Sequence, residues 1–282
     1  MTRELHYLVL NPAGNVTVLF LHGFMGSGED WRPITQGLPA EYRCVLLDLP
    51  GHGCTPVRSD AAAYAMAAVS RDVMHLMERV APGPFVVAGY SMGGRLALYL
   101  ALEHGERVQG LVMESASPGL RSEPERSERR DQDEQRAMEL ETGDWEAFLR
   151  QWYAAPMFES LPGCGERFQE LLARRRKNNP RELARVLRGM GTGAQPSLWD
   201  RLPEAAAPSL LVAGERDARY RAIAAAMCVL MPRASTAVVS GAGHNVHFEK
   251  PADYTTLLRG FLDGLRGTAA QPPQHPGTRE QQ

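Results

Sequence analysis

The sequence predicts an α/β fold: a mostly parallel sheet with helices on both faces and a helical cap inserted between two strands. Three observations point there. Short apolar runs alternate with helix-period patterns along most of the chain. One such run, Val86-Val87-Ala88, leads through Gly89-Tyr90-Ser91-Met92-Gly93 straight into a helical pattern. The alternation then stops between residues 121 and 200, where no strand-like run occurs.

Taken in order, residues 5–10 (LHYLVL) and 16–21 (VTVLFL) are too short and too apolar for amphipathic helices and read as strands. A helical pattern over 30–38 and a strand over 43–47 follow. Residues 63–80 space their apolar side chains by three and four, predicting a long helix. A strand over 85–88, a helix over 92–103 and a strand over 108–113 complete the first part. After the gap come strand 209–213, helix 220–231, strand 236–239 and helix 254–265. In sheets of this kind, functional groups gather beyond the carboxyl ends of the strands.

Residues 1–120 and 201–266 are therefore assigned to a core and 121–200 to a cap. The cap begins charge-dense (PERSERRDQDEQR), turns aromatic (Trp145, Phe148, Trp152, Tyr153, Phe158) and then basic (ARRRK). With Trp199 it holds three of the four tryptophans, which suits a lid over a pocket. Residues 267–282, rich in Pro, Gln and Gly, have little to bury and are expected to form a disordered tail.

Bulk properties exclude several classes. With 31 basic and 33 acidic residues, the net charge of −2 leaves no footprint for nucleic acid. The amino terminus lacks a secretory pattern, and the apolar run 16–21 is far too short for a bilayer, so a cytoplasmic protein without membrane insertion is expected. Cys44, Cys54, Cys164 and Cys228 show neither CxxC pairing nor zinc spacing and read as free thiols.

The chemistry rests on three residues. A serine between strand and helix is pushed clear of the sheet beside backbone N–H groups. It becomes reactive when a base takes its proton and an acid orients that base. His244, in Gly241-Ala242-Gly243-His244-Asn245, follows the last strand and supplies the base. Asp217, in Gly214-Glu215-Arg216-Asp217, follows another strand and supplies the acid. Asp48 and Glu114 are rival acids, Asp48 being better suited to building the turn at Pro50-Gly51-His52-Gly53. Upstream, Phe20-Leu21-His22-Gly23-Phe24 ends a strand, so the N–H groups of Phe24 and Met92 could together hold an oxyanion, with His22 bracing the loop.

The ordered set HGF, DLPGHG, GYSMGG and GAGH resembles the α/β-hydrolase superfamily from Leu5 to about Leu265. Further segments, ESASPGL with ERSERR, QWYAAPMF, GTGAQPSLW, GERDARY and GAGHNVHFEKP, resemble one branch: the 2-succinyl-6-hydroxy-2,4-cyclohexadiene-1-carboxylate synthases of menaquinone biosynthesis. The resemblance implies the fold, the triad Ser91, Asp217 and His244, and a lyase that eliminates pyruvate from a tricarboxylate small molecule without metal or organic cofactor. It also implies that Tyr90, Arg95, Arg129, Trp152 and Tyr153 meet the substrate. Arg219 stands where the family pattern expects lysine, exchanging a point charge for a planar fork. Independently, a trianion needs several cations, and Arg95 lies one helical turn beyond Ser91. A carboxylic-ester or C–C bond hydrolase with the same triad is the alternative.

Overall fold

The computed structural model describes residues 4–269. Its first part comprises β1 (Tyr7–Leu10), β2 (Val16–Leu21), α1 (Arg32–Gln36), β3 (Tyr42–Leu47), α2 (Met66–Val80), β4 (Phe85–Tyr90), α3 (Met92–Glu103) and β5 (Val108–Glu114). Four helices follow: α4 (Glu123–Thr142), α5 (Trp145–Tyr153), α6 (Glu166–Arg175) and α7 (Pro180–Met190). The chain then returns through β6 (Ser209–Gly214), α8 (Ala218–Leu230), β7 (Ala234–Val239), α9 (Val246–Glu249) and α10 (Pro251–Ala269).

The seven strands form one sheet in the order β1-β3-β2-β4-β5-β6-β7. β1 pairs antiparallel with β3 at one edge, and every other pairing is parallel. Strand periodicity sorts the core into two layers. Leu19, Leu21, Val87, Leu111 and Met113 pack under α2, α3 and α8. Their neighbours Val18, Phe20, Val86, Ala88 and Val112 pack against α1 and α10 on the other face. Burial on both sides explains why these strands read as continuous apolar runs. Each buried Val, Leu, Phe or Met among them contributes about 1.5–3 kcal/mol when removed from water.

The expected elements all form, with shifted ends. The 30–38 pattern splits into a 3-10 turn (Gly28–Trp31) and the short α1, with Pro33 in its first turn and Gly37 at its end. Helix 254–265 extends at both ends to Pro251 and Ala269. Residues 267–269 of the expected tail belong to this helix, and the rest of that expectation, 270–282, lies outside the described residues. Between β5 and β6 the regular elements are all helical, and α4, α5 and α7 start on side-chain caps, whereas α6 follows Gly165 without one. Ser122 and Glu125 form a reciprocal box at α4, Asp144 caps α5, and Asn179 caps α7 ahead of Pro180. No helix among the described residues is long and apolar enough to cross a membrane.

Candidate active site

β4 ends at Tyr90 and α3 begins at Met92, so Ser91 alone turns the chain, at φ 50° and ψ −108°. Such a conformation costs a non-glycine residue about 1–3 kcal/mol. Close backbone packing on both flanks holds it. A Cβ at Gly89 would meet the Gly93 carbonyl oxygen at 2.3 Å, and one at Gly93 would meet the Leu21 carbonyl oxygen at 2.2 Å. The Ser91 N–H donates to the Glu114 carbonyl at 2.8 Å, tying the turn to the end of β5.

His244, 1% exposed, lies on the loop after β7. Its Nδ1–H donates to Asp217 Oδ2 at 2.6 Å, and its Nε2 lies 3.5 Å from Ser91 Oγ. Asp217 Oδ1 accepts the Tyr220 N–H at 3.1 Å and so caps α8. The carboxylate is held through both oxygens, which fixes the imidazole with Nε2 free to take the serine proton. The Ser–His separation is at the long end of a hydrogen bond, as is common before substrate binds. The rival acids are committed elsewhere. Glu114, fully buried, accepts the His247 N–H at 3.1 Å and its Nδ1–H at 2.8 Å. Asp48 accepts the N–H groups of Gly28 (2.7 Å) and Cys54 (2.8 Å) and pairs with His6 Nδ1 (2.8 Å), the turn-building part its sequence position suggests.

The loop carrying Phe24 is braced by two histidines. His22 Nδ1–H donates to the Gly23 carbonyl at 2.7 Å, while Nε2 accepts the Leu49 N–H at 2.9 Å. His52 Nδ1–H donates to the Pro50 carbonyl at 3.0 Å, and its Nε2 accepts the N–H of Met25, whose φ is +63°. Burial pushes His22 below the ordinary histidine value and His52 well below it, so both are neutral braces. The sequence suggested this task for His22 and missed it for His52, although both sit in glycine-flanked turns that need side-chain acceptors.

A cavity of about 410 Å³ opens over Ser91, with Phe24 and Met92 on its wall. Arg95, Arg129, Trp152 and Arg219 line it, joined by Arg216 and Tyr220, which the sequence did not single out. The Tyr220 ring lies 4.7 Å from that of His244. Arg95 is half-buried, and its Nη1–H donates to the neutral Oε1 of fully buried Gln195 at 2.8 Å. Desolvation is the main cause that brings its pKa down to about 10, with Tyr220 opposing, the nearby Arg129 charge adding to the fall and Asp133 opposing it. It remains a cation at neutral pH, without a carboxylate partner among the described residues. Arg129 is held through Nε by Asp133 at 2.8 Å.

Two expected contacts are not brought to this wall. Tyr90 shares the α10-side layer with Val86 and Ala88, two and four residues before it, and packs on His247 (5.0 Å) and His244 (5.5 Å) from behind. Tyr153 is turned about 100° around α5 from Trp152. It packs on Phe158 and Phe168, and its hydroxyl accepts from Arg175 Nε at 3.2 Å.

Comparison with known proteins agrees with this architecture. The alpha/beta hydrolase family matches over residues 18–256. A Bacillus subtilis (strain 168) protein, provisionally named 2-succinyl-6-hydroxy-2,4-cyclohexadiene-1-carboxylate synthase, is 35% identical over 90% of this chain and 93% of its own. The Salmonella newport (strain SL254) protein of that name is 34% identical over 88% of this chain and 94% of its own. The chloroplastic protein PHYLLO of Arabidopsis thaliana is 32% identical over 95% of this chain, which spans only 16% of that longer protein. Among solved structures, MenH from S. aureus superimposes with a TM-score of 0.88 and 31% identity, covering 94% of this chain and all of that one. The chain belongs to the alpha/beta hydrolase family and, within it, groups with the MenH-type synthases.

Proposed function

We propose that this protein is a lyase that eliminates pyruvate from 2-succinyl-5-enolpyruvyl-6-hydroxy-3-cyclohexene-1-carboxylate, giving 2-succinyl-6-hydroxy-2,4-cyclohexadiene-1-carboxylate. The observation that carries the reading is the charge of the cavity beside the triad. Arg95, Arg129, Arg216 and Arg219 line it, and Arg95 keeps its charge with a neutral amide as its side-chain partner among the described residues. A half-desolvated guanidinium without a carboxylate is a standing site for one. A site for a neutral ester has no use for four cations.

In this reading His244 takes the proton of Ser91, and the serine oxygen removes the proton from ring carbon 2, next to the succinyl ketone. The C–H electrons form the C2–C3 double bond, the C3–C4 π bond moves to C4–C5, and the C5–O bond breaks. The leaving oxygen departs as the enolate of pyruvate and is reprotonated to the keto acid. Charge that spreads into the ketone oxygen is received by the N–H groups of Phe24 and Met92. Asp217 stabilises the imidazolium. The base is regenerated when the proton leaves, and no acyl group is transferred.

The test is incubation with the enolpyruvyl compound, with pyruvate followed in a coupled assay and the Ser91 peptide examined by mass spectrometry after rapid quenching. Pyruvate release with an unmodified serine is expected. A covalent adduct that forms and decays at the turnover rate would move the protein to the hydrolase reading, and absence of pyruvate would end the lyase reading.

A further inference from the structure

A second cavity of about 550 Å³ adjoins the first, and Arg129, Trp152, Met157 and Arg219 belong to the walls of both. Its remaining wall comes largely from one face of α4 and one of α5. Positions 129, 132, 136 and 139 of α4 follow helical spacing, with Gln135 beside them, and α5 contributes Gln151.

Charge is segregated on α4. The helix carries more acids than bases, yet Glu139 is its only acid on the chamber wall among the described residues. Asp133 sits behind that wall, 2% exposed, where it accepts from Arg129 Nε at 2.8 Å and from Arg136 Nη1 at 3.1 Å. It therefore orients two guanidinium groups that border the chamber while staying hidden from solvent. The exposed positions of α4 away from the chamber carry Glu128, Asp131 and Glu134, the last paired with Arg188.

We infer that this outer chamber captures the polycarboxylate substrate before it reaches Ser91. Arg136 makes the first contact, and Arg129 and Arg219, shared by both cavities, pass the anion inward. A cleft whose charged lining is mainly of one sign, here three arginines against Glu139, raises the local concentration of the opposite sign and speeds association. The glutamines Gln132, Gln135 and Gln151 offer hydrogen bonds along the route without adding charge. The inference rests on the polycarboxylate reading of the inner site.

Association is measured by stopped-flow tryptophan fluorescence, since Trp152 lies on the shared wall. The background is the Ser91→Ala enzyme, which binds the enolpyruvyl compound without turnover. The comparison protein adds Gln135→Glu and Gln151→Glu, isosteric changes at exposed positions. The expected result is an association rate constant lower by about threefold or more at low salt, with dissociation unchanged. The difference should close in about 0.5 M salt, where charges are screened over a few ångströms. Arg136→Gln should act in the same direction, and Arg136→Lys should restore most of the rate. Equal association rates, a deficit indifferent to salt, a change confined to dissociation, or failure of the compound to bind would each overturn the inference. Failure of the lyase reading is a separate result, read as absence of pyruvate from the wild-type enzyme.

Discussion

Asp217, just past the end of β6, and Glu114, the last residue of β5, are both buried carboxylates, and each holds the Nδ1 of a histidine; what separates them is where that histidine points. His244 faces Ser91, whereas His247 stacks on Trp31 at 4.1 Å in the interior. Asp217→Asn should therefore lower turnover by about 100-fold or more while the protein stays folded. Glu114→Gln should leave turnover within about threefold and destabilise by about 1–3 kcal/mol, because a buried hydrogen-bonding pair is left mismatched. Pyruvate release and urea unfolding measure the two effects, and the reverse order would exchange the two acids. The arginines give a second expectation. Arg95→Ala and Arg129→Ala should each cost about 2–5 kcal/mol in kcat/KM for the tricarboxylate and little for a neutral aryl ester, since only the former leaves a desolvated charge unpaired. Equal losses on both compounds would make these arginines structural. At this scale the sequence named three residues, Ser91, Asp217 and His244, that lie within hydrogen-bond reach of one another, because a strand-end turn is local chemistry. Tyr90 and Tyr153 do not line the cavity, and the causes are local. Strand parity puts Tyr90 in the layer of Val86 and Ala88, and Tyr153, about 100° around α5 from Trp152, is taken up by Phe158, Phe168 and Arg175.

Among the elements, the loop after β2 is expected to lose stability as pH falls. His22 and His52 hold it as neutral acceptors and donors, each depressed chiefly by burial. For His22, Asp48 and Asp30 partly oppose that shift and Arg175 adds to it; for His52, His22 and Arg175 add to it and Asp30 opposes it. In the unfolded chain both take a proton near 6.5, and in the folded protein they resist it. The unfolded state thus binds more protons, and stability falls as pH drops below that value. Asp30 works in a lower window. Burial alone would raise it, but the charge of Arg175, at 2.7 Å, holds it at about 2, so its contribution is present above the ordinary value of 3.8 and is lost only as pH falls toward 2. Melting temperature should therefore decline between about pH 7 and pH 5, and the decline should be shallower in His52→Gln, whose amide stays neutral and can still accept from Met25. A flat profile, or an unchanged slope in the variant, would show that these rings are not held neutral. The seven strands were legible from their apolar runs, whereas the Asp30–Arg175 pair, 145 residues apart, required the packed helices to be seen.

Across the whole molecule, the sheet and the inserted helices supply different halves of one site. Strand ends and their loops place Ser91, Asp217, His244 and the N–H groups, while α4, α5 and α7 close the cavity with Arg129, Trp152, Val186 and Leu187. A polycarboxylate seated between Arg95 on α3 and Arg129 on α4 would tie the two parts together through its own charge. Binding that requires both parts folded must stabilise both, by about 2.7 kcal/mol at one hundred times the dissociation constant. The Ser91→Ala protein, saturated with the enolpyruvyl compound, should accordingly unfold at a higher temperature in a single transition, with tryptophan fluorescence and far-UV circular dichroism coinciding. The same excess of compound should leave the Ser91→Ala/Arg95→Ala protein nearly unshifted. If the fluorescence transition, reporting mainly the cap tryptophans, moves while the circular dichroism transition stays, the ligand is held by the helices alone, and the bridging role given to Arg95 fails.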